Sequence, residues 1–259
     1  MKRKLLSCIL AVVAIVFLYT SCTKDPVDYG TSSVSSKEVS QQIALNLAQS
    51  LYGGLGGFSL NDGLSPQINA TPPNRPKIRI NSVNPECGMQ VDTTMSFDLS
   101  VDTLKMTVGG RFKYSTICTN DQPSGLSAYD SLLVAMTTPS MEAKYNLLQN
   151  INMSSVNPQN PDAKLTFSGV LNTKASLQYK TGSKQKLTTL FNYKLVSLII
   201  DPTKDGDVES GTATFETTGD TPQGKWNYKG SIVFLGNHKV KITINGTVYT
   251  VDIQTGQIV

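Results

Sequence analysis

His238 is the only histidine in the chain, and it stands between Asn237 and Lys239 in a stretch typical of a hairpin tip. A Ser–His–Asp arrangement needs a histidine buried beside a serine and an acid. A zinc site built from histidine and cysteine needs more ligands than this chain supplies. We therefore expect His238 to be a turn residue, and we predict no catalytic residues, no metal, no cofactor and a protein that is not an enzyme.

The densest group of acidic residues lies in one loop before the C-terminal third. Its members are Asp201, Asp205, Asp207 and Glu209. Hard oxygen ligands at this density could bind calcium. Their spacing does not match the EF-hand loop, which has acids at alternating positions before a glycine and a glutamate six residues beyond it. We expect a solvated acidic loop, with a calcium site as the weaker alternative.

The first 21 residues have the composition of a secretory signal peptide. Three basic residues precede an apolar run over 5–19, and two small residues stand just before Cys22. A helix of those 15 residues is about 22 Å long, whereas the hydrocarbon core of a bilayer is about 30 Å thick. A removed signal over 1–21 is therefore favoured over a permanent transmembrane helix.

The residues before Cys22 resemble a lipobox, the motif that lipoprotein signal peptidase recognises. Thr20, Ser21 and Cys22 match the motif, whereas Tyr19 replaces the usual aliphatic residue, as the looser lipoboxes of Bacteroidota allow. The chain thus resembles the uncharacterised, β-rich outer-membrane lipoproteins of that phylum. The resemblance implies a diacylglyceryl lipid on Cys22, and two acyl chains make a stable membrane anchor. The alternative is an ordinary signal whose removal leaves Cys22 free.

Outer-membrane localisation follows from the same resemblance, and the leaflet stays undecided. Removal of the signal would leave 20 basic and 19 acidic side chains, a net charge of +1. A nearly neutral chain without a basic run argues against nucleic-acid binding.

Two cysteines, Cys87 and Cys118, remain in an oxidising compartment after processing. A disulfide between them would close a loop of about 31 residues and stabilise the fold by about 3.7 kcal/mol. We favour this bridge; the alternative is two unpaired, buried thiols, because spacing alone does not show how close the Cα atoms lie.

Three short sequences resemble the Asp-Ser/Thr-aliphatic motif used for O-glycosylation in Bacteroidota. They make Thr93, Thr103 and Ser131 the candidate acceptors. We expect all three near strand ends, where a modifying enzyme has access.

The elements that position these residues begin with a flexible tether over 22–34. A helix is predicted over 35–54, because Ser35 and Glu38 form a capping box and apolar residues recur every four positions. The next stretch, 55–77, is rich in glycine and proline and is predicted to be an irregular loop, either disordered or a binding loop.

From residue 78 to 259 the apolar period changes to two, which predicts about ten to twelve strands. Turns are predicted at Gly109-Gly110, Thr181-Gly182-Ser183, Gly236-Asn237 and Asn245-Gly246. The run 195–200 is apolar throughout, so we expect both of its faces to be covered, and 129–153 suits either strand or helix. The fold class is mainly β: a large antiparallel meander, curved or half-barrel, with one N-terminal amphipathic helix.

Three functions are compatible with this architecture. The first is a non-catalytic module that binds lipid or another apolar ligand, by analogy with the lipoprotein-carrier half-barrels. The side chains that could line its cavity are Phe97, Phe191, Tyr193, Trp226 and Phe234. The second is a surface glycan-binding or adhesin-like protein, which requires exposed aromatic side chains; Trp226 and Tyr228 are candidates, although core packing is the expected role for both. The third, an enzyme, has the least support, and we favour the first.

Overall fold

The computed structural model describes residues 34–52, 87–157, 160, 163–201, 203 and 207–259. These residues form one helix and ten strands. Cys22, the tether before residue 34, the loop 55–77 and Asp205 lie outside the described residues, so what we expect of them stays a prediction.

Helix α1 (Ser36–Leu51) begins at the predicted capping box. The Ser35 hydroxyl accepts a hydrogen bond from the Glu38 N–H, and the Glu38 carboxylate accepts one from the Ser35 N–H, both at 3.2 Å. The apolar stripe is fully buried, and its members are Val39, Ile43, Leu47 and Leu51. The helix ends slightly earlier than predicted, at the point where this stripe ends.

Ten strands form one antiparallel sheet in which each strand pairs with its neighbours along the chain. Their bounds are β1 (Gln90–Val101), β2 (Leu104–Thr119), β3 (Gln122–Thr137), β4 (Met141–Ser155), β5 (Leu165–Tyr179), β6 (Lys186–Ile200), β7 (Val208–Thr221), β8 (Gly224–Gly236), β9 (Lys239–Ile244) and β10 (Thr247–Asp252). The sheet order runs from β1 to β10 and does not close. The predicted meander is confirmed, and the ambiguous segment 129–153 belongs to β3 and β4.

One predicted hairpin turn is wrong. Gly109 and Gly110 lie inside β2, and the chain turns at Asp102-Thr103 instead, with Asp102 at φ 47°. Glycine is needed at 110 for a different reason, because a Cβ there would lie 2.6 Å from the Ser131 carbonyl oxygen on β3. The other three predicted turns are confirmed, each with at least one residue at positive φ.

The apolar run in β6 is also explained differently from our expectation. Ser197 has φ 49°, and the pairing of β6 with β7 shifts register between Val196 and Ile199. This bulge turns both Leu195 and Leu198 into the core and leaves Val196 44% exposed. The expectation that both faces are covered is wrong, since the extra residue interrupts the usual alternation.

The two faces of the sheet differ in chemistry. We call the face that contacts α1 the inner face and the opposite one the outer face. Along β4 to β8 the outer face carries mainly asparagine, threonine, serine and lysine, whereas inner positions are mainly apolar and contribute to one core with α1. This alternation is typical of a sheet with one solvated face.

Helix α1 crosses the strands of the inner face. The Tyr228 hydroxyl on β8 donates to the Val34 carbonyl (3.0 Å), and the Gln149 amide on β4 donates to the Ser50 carbonyl (3.0 Å). Between them, Asn46 Oδ1 accepts from Tyr193 (3.1 Å) and Thr173 (3.2 Å) on β6 and β5. These bonds satisfy polar groups that the apolar contact would otherwise bury without partners.

We predict that Leu47→Ala lowers the free energy of unfolding by about 2–5 kcal/mol, because Leu47 is fully buried between helix and sheet. Urea denaturation followed by circular dichroism measures this change. Lys37→Ala, on the exposed side of the same helix, is the control and should change stability by less than about 0.5 kcal/mol. Equal losses in the two variants would show that the helix does not depend on this contact.

Candidate functional site

Cys87 and Cys118 form a disulfide, as predicted. Their Cα atoms lie 5.9 Å apart, and the bond joins the turn before β1 to the C-terminal end of strand β2. The Thr116 N–H donates to the Met89 carbonyl (3.0 Å) beside it, so main-chain pairing continues up to the bridge. The disulfide therefore closes one end of the β1–β2 hairpin, opposite the turn at Asp102-Thr103.

The described carboxylates of the acidic loop have separate partners. Asp201 accepts hydrogen bonds from the Thr203 N–H (2.9 Å) and hydroxyl (2.6 Å), and Glu209 pairs with Lys164. No cluster of three or more metal-ligating side chains occurs among the described residues. With Asp205 outside them, the calcium alternative stays a prediction.

Asp207 stabilises the turn that contains the single histidine. Its carboxylate accepts hydrogen bonds from the main-chain N–H groups of Asn237 (2.7 Å) and His238 (3.3 Å), both of which have positive φ. His238 Nδ1 lies 3.2 Å from Asp207 Oδ1. His238 is thus a turn residue, and the acid beside it supports the β8–β9 turn.

Trp226 has the expected core role. It is 6% exposed, its indole N–H donates to Thr217 Oγ1 (3.1 Å), and its ring occupies the space that a Cβ on Gly219 would need. Tyr228, half-buried, bonds to the segment that precedes α1. An open depression of about 450 Å³ lies beside them, lined by Gly219, Lys225, Trp226, Asn227 and Tyr228.

Of the three candidate glycosylation sites, Thr103 is exposed in a hairpin turn. Ser131 lies inside β3, where its hydroxyl accepts a hydrogen bond from the Arg111 N–H (3.3 Å), and Thr93 is the fourth residue of β1. The expectation that all three lie near strand ends is wrong for Ser131, because β3 is longer than the pattern indicated. Glycosylation itself stays a prediction.

Four of the five side chains proposed to line a cavity are packed into the core. Phe191, Tyr193, Trp226 and Phe234 are 2–6% exposed and belong to the same cluster as the helix stripe. They are not available to a ligand while α1 is in place. Phe97, at 46% exposed, is the exception.

The inner face has a second apolar region, which we call the apolar shelf. It lies toward the end of the sheet that carries the turns at 102–103, 138–140 and 180–185. Its members are Phe97, Leu99, Val101, Leu104, Met106, Val108, Val134, Met141 and Ala143, all half-buried or exposed. Phe97 and Val101 are the most exposed, at 46% and 51%. Their strands were predicted, but nothing in the sequence distinguished shelf positions from core positions with the same alternation.

Basic side chains stand at the same end of the sheet. Lys180, Lys184 and Lys186 surround the β5–β6 turn, and Lys180 pairs with Glu142 across the strands (2.9 Å). Within the described part of the chain, Lys184 and Lys186 have no ion pair. Lys186 lies on the outer face of β6, opposite the shelf, so Lys184, in the turn itself, is the lysine without a described ion pair at the end of the shelf.

The comparisons with known proteins give no assignment. No protein-family model matches the sequence, and neither the curated proteins nor the solved structures yield a match. In the parts of the chain that the structure describes, no helix has the length and apolar character needed to cross a membrane.

We predict that Cys118→Ser lowers the free energy of unfolding by about 3.7 kcal/mol, because the bridge removes conformational freedom from an unfolded loop of 31 residues. Urea denaturation of the oxidised wild type, the reduced wild type and the variant measures this. The reduced wild type should match the variant. A variant as stable as the oxidised wild type would show that β1–β2 pairing alone fixes this end.

Proposed function

We propose that this chain is a lipid-anchored, non-catalytic binding module of the outer membrane whose ligand is a lipid or another molecule with a long apolar chain. The apolar shelf is the observation that carries this proposal. The anchor rests on the lipobox resemblance at Cys22.

The shelf supports the proposal of an apolar ligand because its apolar side chains are half-buried or exposed, whereas those in the core region of the inner face are buried. Helix α1 supplies the cover for the core region of the inner face, whereas Phe97 and Val101 stay about half exposed. Grouped large apolar side chains at a surface typically mark a binding region. Each Å² removed from water there contributes about 25 cal/mol.

The shape and border of the shelf support an elongated ligand with an anionic head group. The shelf extends across β1 to β4, so an extended acyl chain can contact several strands in turn. Lys184, in the β5–β6 turn at the same end, provides positive charge for a carboxylate or phosphate. The role of His238 in the Asp207 turn supports binding in preference to catalysis.

A glycan-binding role is the alternative. It would use aromatic side chains at loop tips, but the described hairpin turns at 102–103, 120–121, 237–238 and 245–246 carry none. The depression beside Trp226 and Tyr228 is the described place at which a sugar ring could stack. Failure to bind lipid, together with sugar binding that Tyr228→Ala removes, would favour this alternative.

The first experiment is native mass spectrometry of the chain from Thr23 onward, produced in a periplasmic host. Every contact described above lies between residues 34 and 259, so this chain keeps the whole described fold. A lipid that co-purifies supports the proposal and identifies its class. If none co-purifies, titration with the fluorescent fatty acid cis-parinaric acid decides, and no saturable binding would overturn the proposal.

We predict that the double variant Phe97→Glu/Val101→Glu binds cis-parinaric acid at least about tenfold more weakly. Burying one such side chain against a ligand contributes about 1.5–3 kcal/mol, and 1.4 kcal/mol corresponds to a factor of ten in affinity. The matched control is Thr107→Glu/Asn146→Glu, which adds the same charges at exposed outer-face positions of β2 and β4 and should keep the wild-type affinity. Equal affinities in the two variants would exclude the shelf as the binding surface.

A further inference from the structure

Among the described residues, strand β1 forms one edge of the sheet, and of the features that usually protect an edge it has only two charged side chains, Asp92 and Asp98. Its 12 residues pair with β2 in unbroken register from Gln90 to Val101, and they include no proline, lysine or bulge. Long, regular edge strands are templates for pairing with another strand, and natural proteins usually block them.

The main-chain groups that face outward on β1 can be identified from its pairing. The Thr116 N–H donates to the Met89 carbonyl, so odd-numbered residues of this strand bond to β2. Even-numbered residues, among them Thr94, Ser96 and Asp98, therefore direct their N–H and C=O groups away from β2, in the plane of the sheet and outward from its edge. Within the described part of the chain, these groups have no hydrogen-bond partner.

The opposite edge of the sheet is covered along its second half. Strand β10 has only six residues, and the C-terminal residues fold back along it. The Asp252 N–H donates to the Gln257 carbonyl (2.8 Å), and the Val259 N–H donates to the Thr250 carbonyl (3.0 Å). Of the two edges, β1 is thus the one that can accept a new strand along its full length.

We propose that β1 pairs antiparallel with β1 of a second copy of this chain, about a two-fold axis at Ser96. In this register Ser96 faces Ser96 of the second copy, and Asp98 faces its Thr94. Because even-numbered residues face each other, each outward N–H meets an outward C=O. On the inner face, Phe97 lies beside Met95 of the second copy, so pairing reduces, without removing, the exposed area of a side chain that is 46% exposed in the single chain.

Charge disfavours both neighbouring registers. A shift of two residues in one direction would place Asp92 opposite Asp98 of the second copy, and a shift in the other would place Asp92 opposite its Asp102. Like charges directly opposite each other on paired strands are unfavourable. Arg111 and Lys113 bond to Asp92 and lower the pKa of its carboxyl to about 2, so this charge is present at neutral pH.

Coverage of β10 determines the size of the assembly. If both edges were open, β1 could pair with β10 of the next copy and the chains would form filaments. With the second half of β10 covered, only its first three residues stay open, so two copies pair through β1 and the assembly ends as a symmetric dimer. The apolar shelves of the two copies then become continuous, but the pairing itself does not depend on the proposed ligand.

The test is sedimentation equilibrium of the lipid-free chain from Thr23, with Ser96→Pro as the variant. Because the Ser96 N–H faces outward, proline removes no bond to β2 and is tolerated at an edge, yet it prevents pairing with a second strand. The wild type should have twice the mass of one chain at high micromolar concentration, Ser96→Pro the single mass, and the control Ser96→Ala the dimer mass. A monomeric wild type, or a dimeric Ser96→Pro, would overturn the proposal.

A second measurement remains informative if the proline variant fails to fold. Ser96→Cys places one thiol on the two-fold axis, and mild oxidation should join two chains into a covalent dimer on a non-reducing gel. Ser154→Cys, an exposed position on the outer face of β4, is the matched control and should remain monomeric. No crosslink at position 96, or equal crosslinking at both positions, would contradict this register.

Discussion

The packing of helix α1 against the inner face is the constraint on which the rest of the structure depends. A sheet with one apolar face cannot remain exposed to water, and the helix stripe supplies the apolar surface that covers it. Asn46 fixes where the helix lies, because its side-chain oxygen accepts bonds from both Tyr193 and Thr173 inside an otherwise apolar contact. Buried polar groups of this kind favour one arrangement, since other registers would leave them without partners.

The same constraint divides the inner face into two regions with different roles. Where α1 covers the sheet, large aromatic side chains such as Phe191 and Phe234 belong to the core. Beyond the helix, residues of the same chemical type form the apolar shelf and stay half exposed. The proposed binding surface is therefore the part of the open sheet that the helix does not reach.

The edges of the sheet raise a related question, namely where an open sheet ends. At β10 the C-terminal residues pair with Thr250 and Asp252, so the chain covers the second half of this edge itself. At β1 the outward N–H and C=O groups have no hydrogen-bond partner among the described residues. A meander that does not close has two edge strands with unpaired main-chain groups, and in this sheet only the β10 edge is paired by the chain itself.

The sequence by itself determined the elements with local causes. The capping box at Ser35 and Glu38, the four-residue stripe of α1, the Asn245-Gly246 turn and the alternation of the strands depend on neighbouring residues, and all were predicted correctly. Only the tertiary structure decided what depends on distant ones. Gly110 serves close approach to β3 and not a turn, Ser197 forms a bulge, and Phe97 is exposed while Phe234 is buried, although both follow the same period of two. The pattern of a strand defines which face a side chain occupies, but where the helix covers that face is set by contacts between residues more than a hundred positions apart.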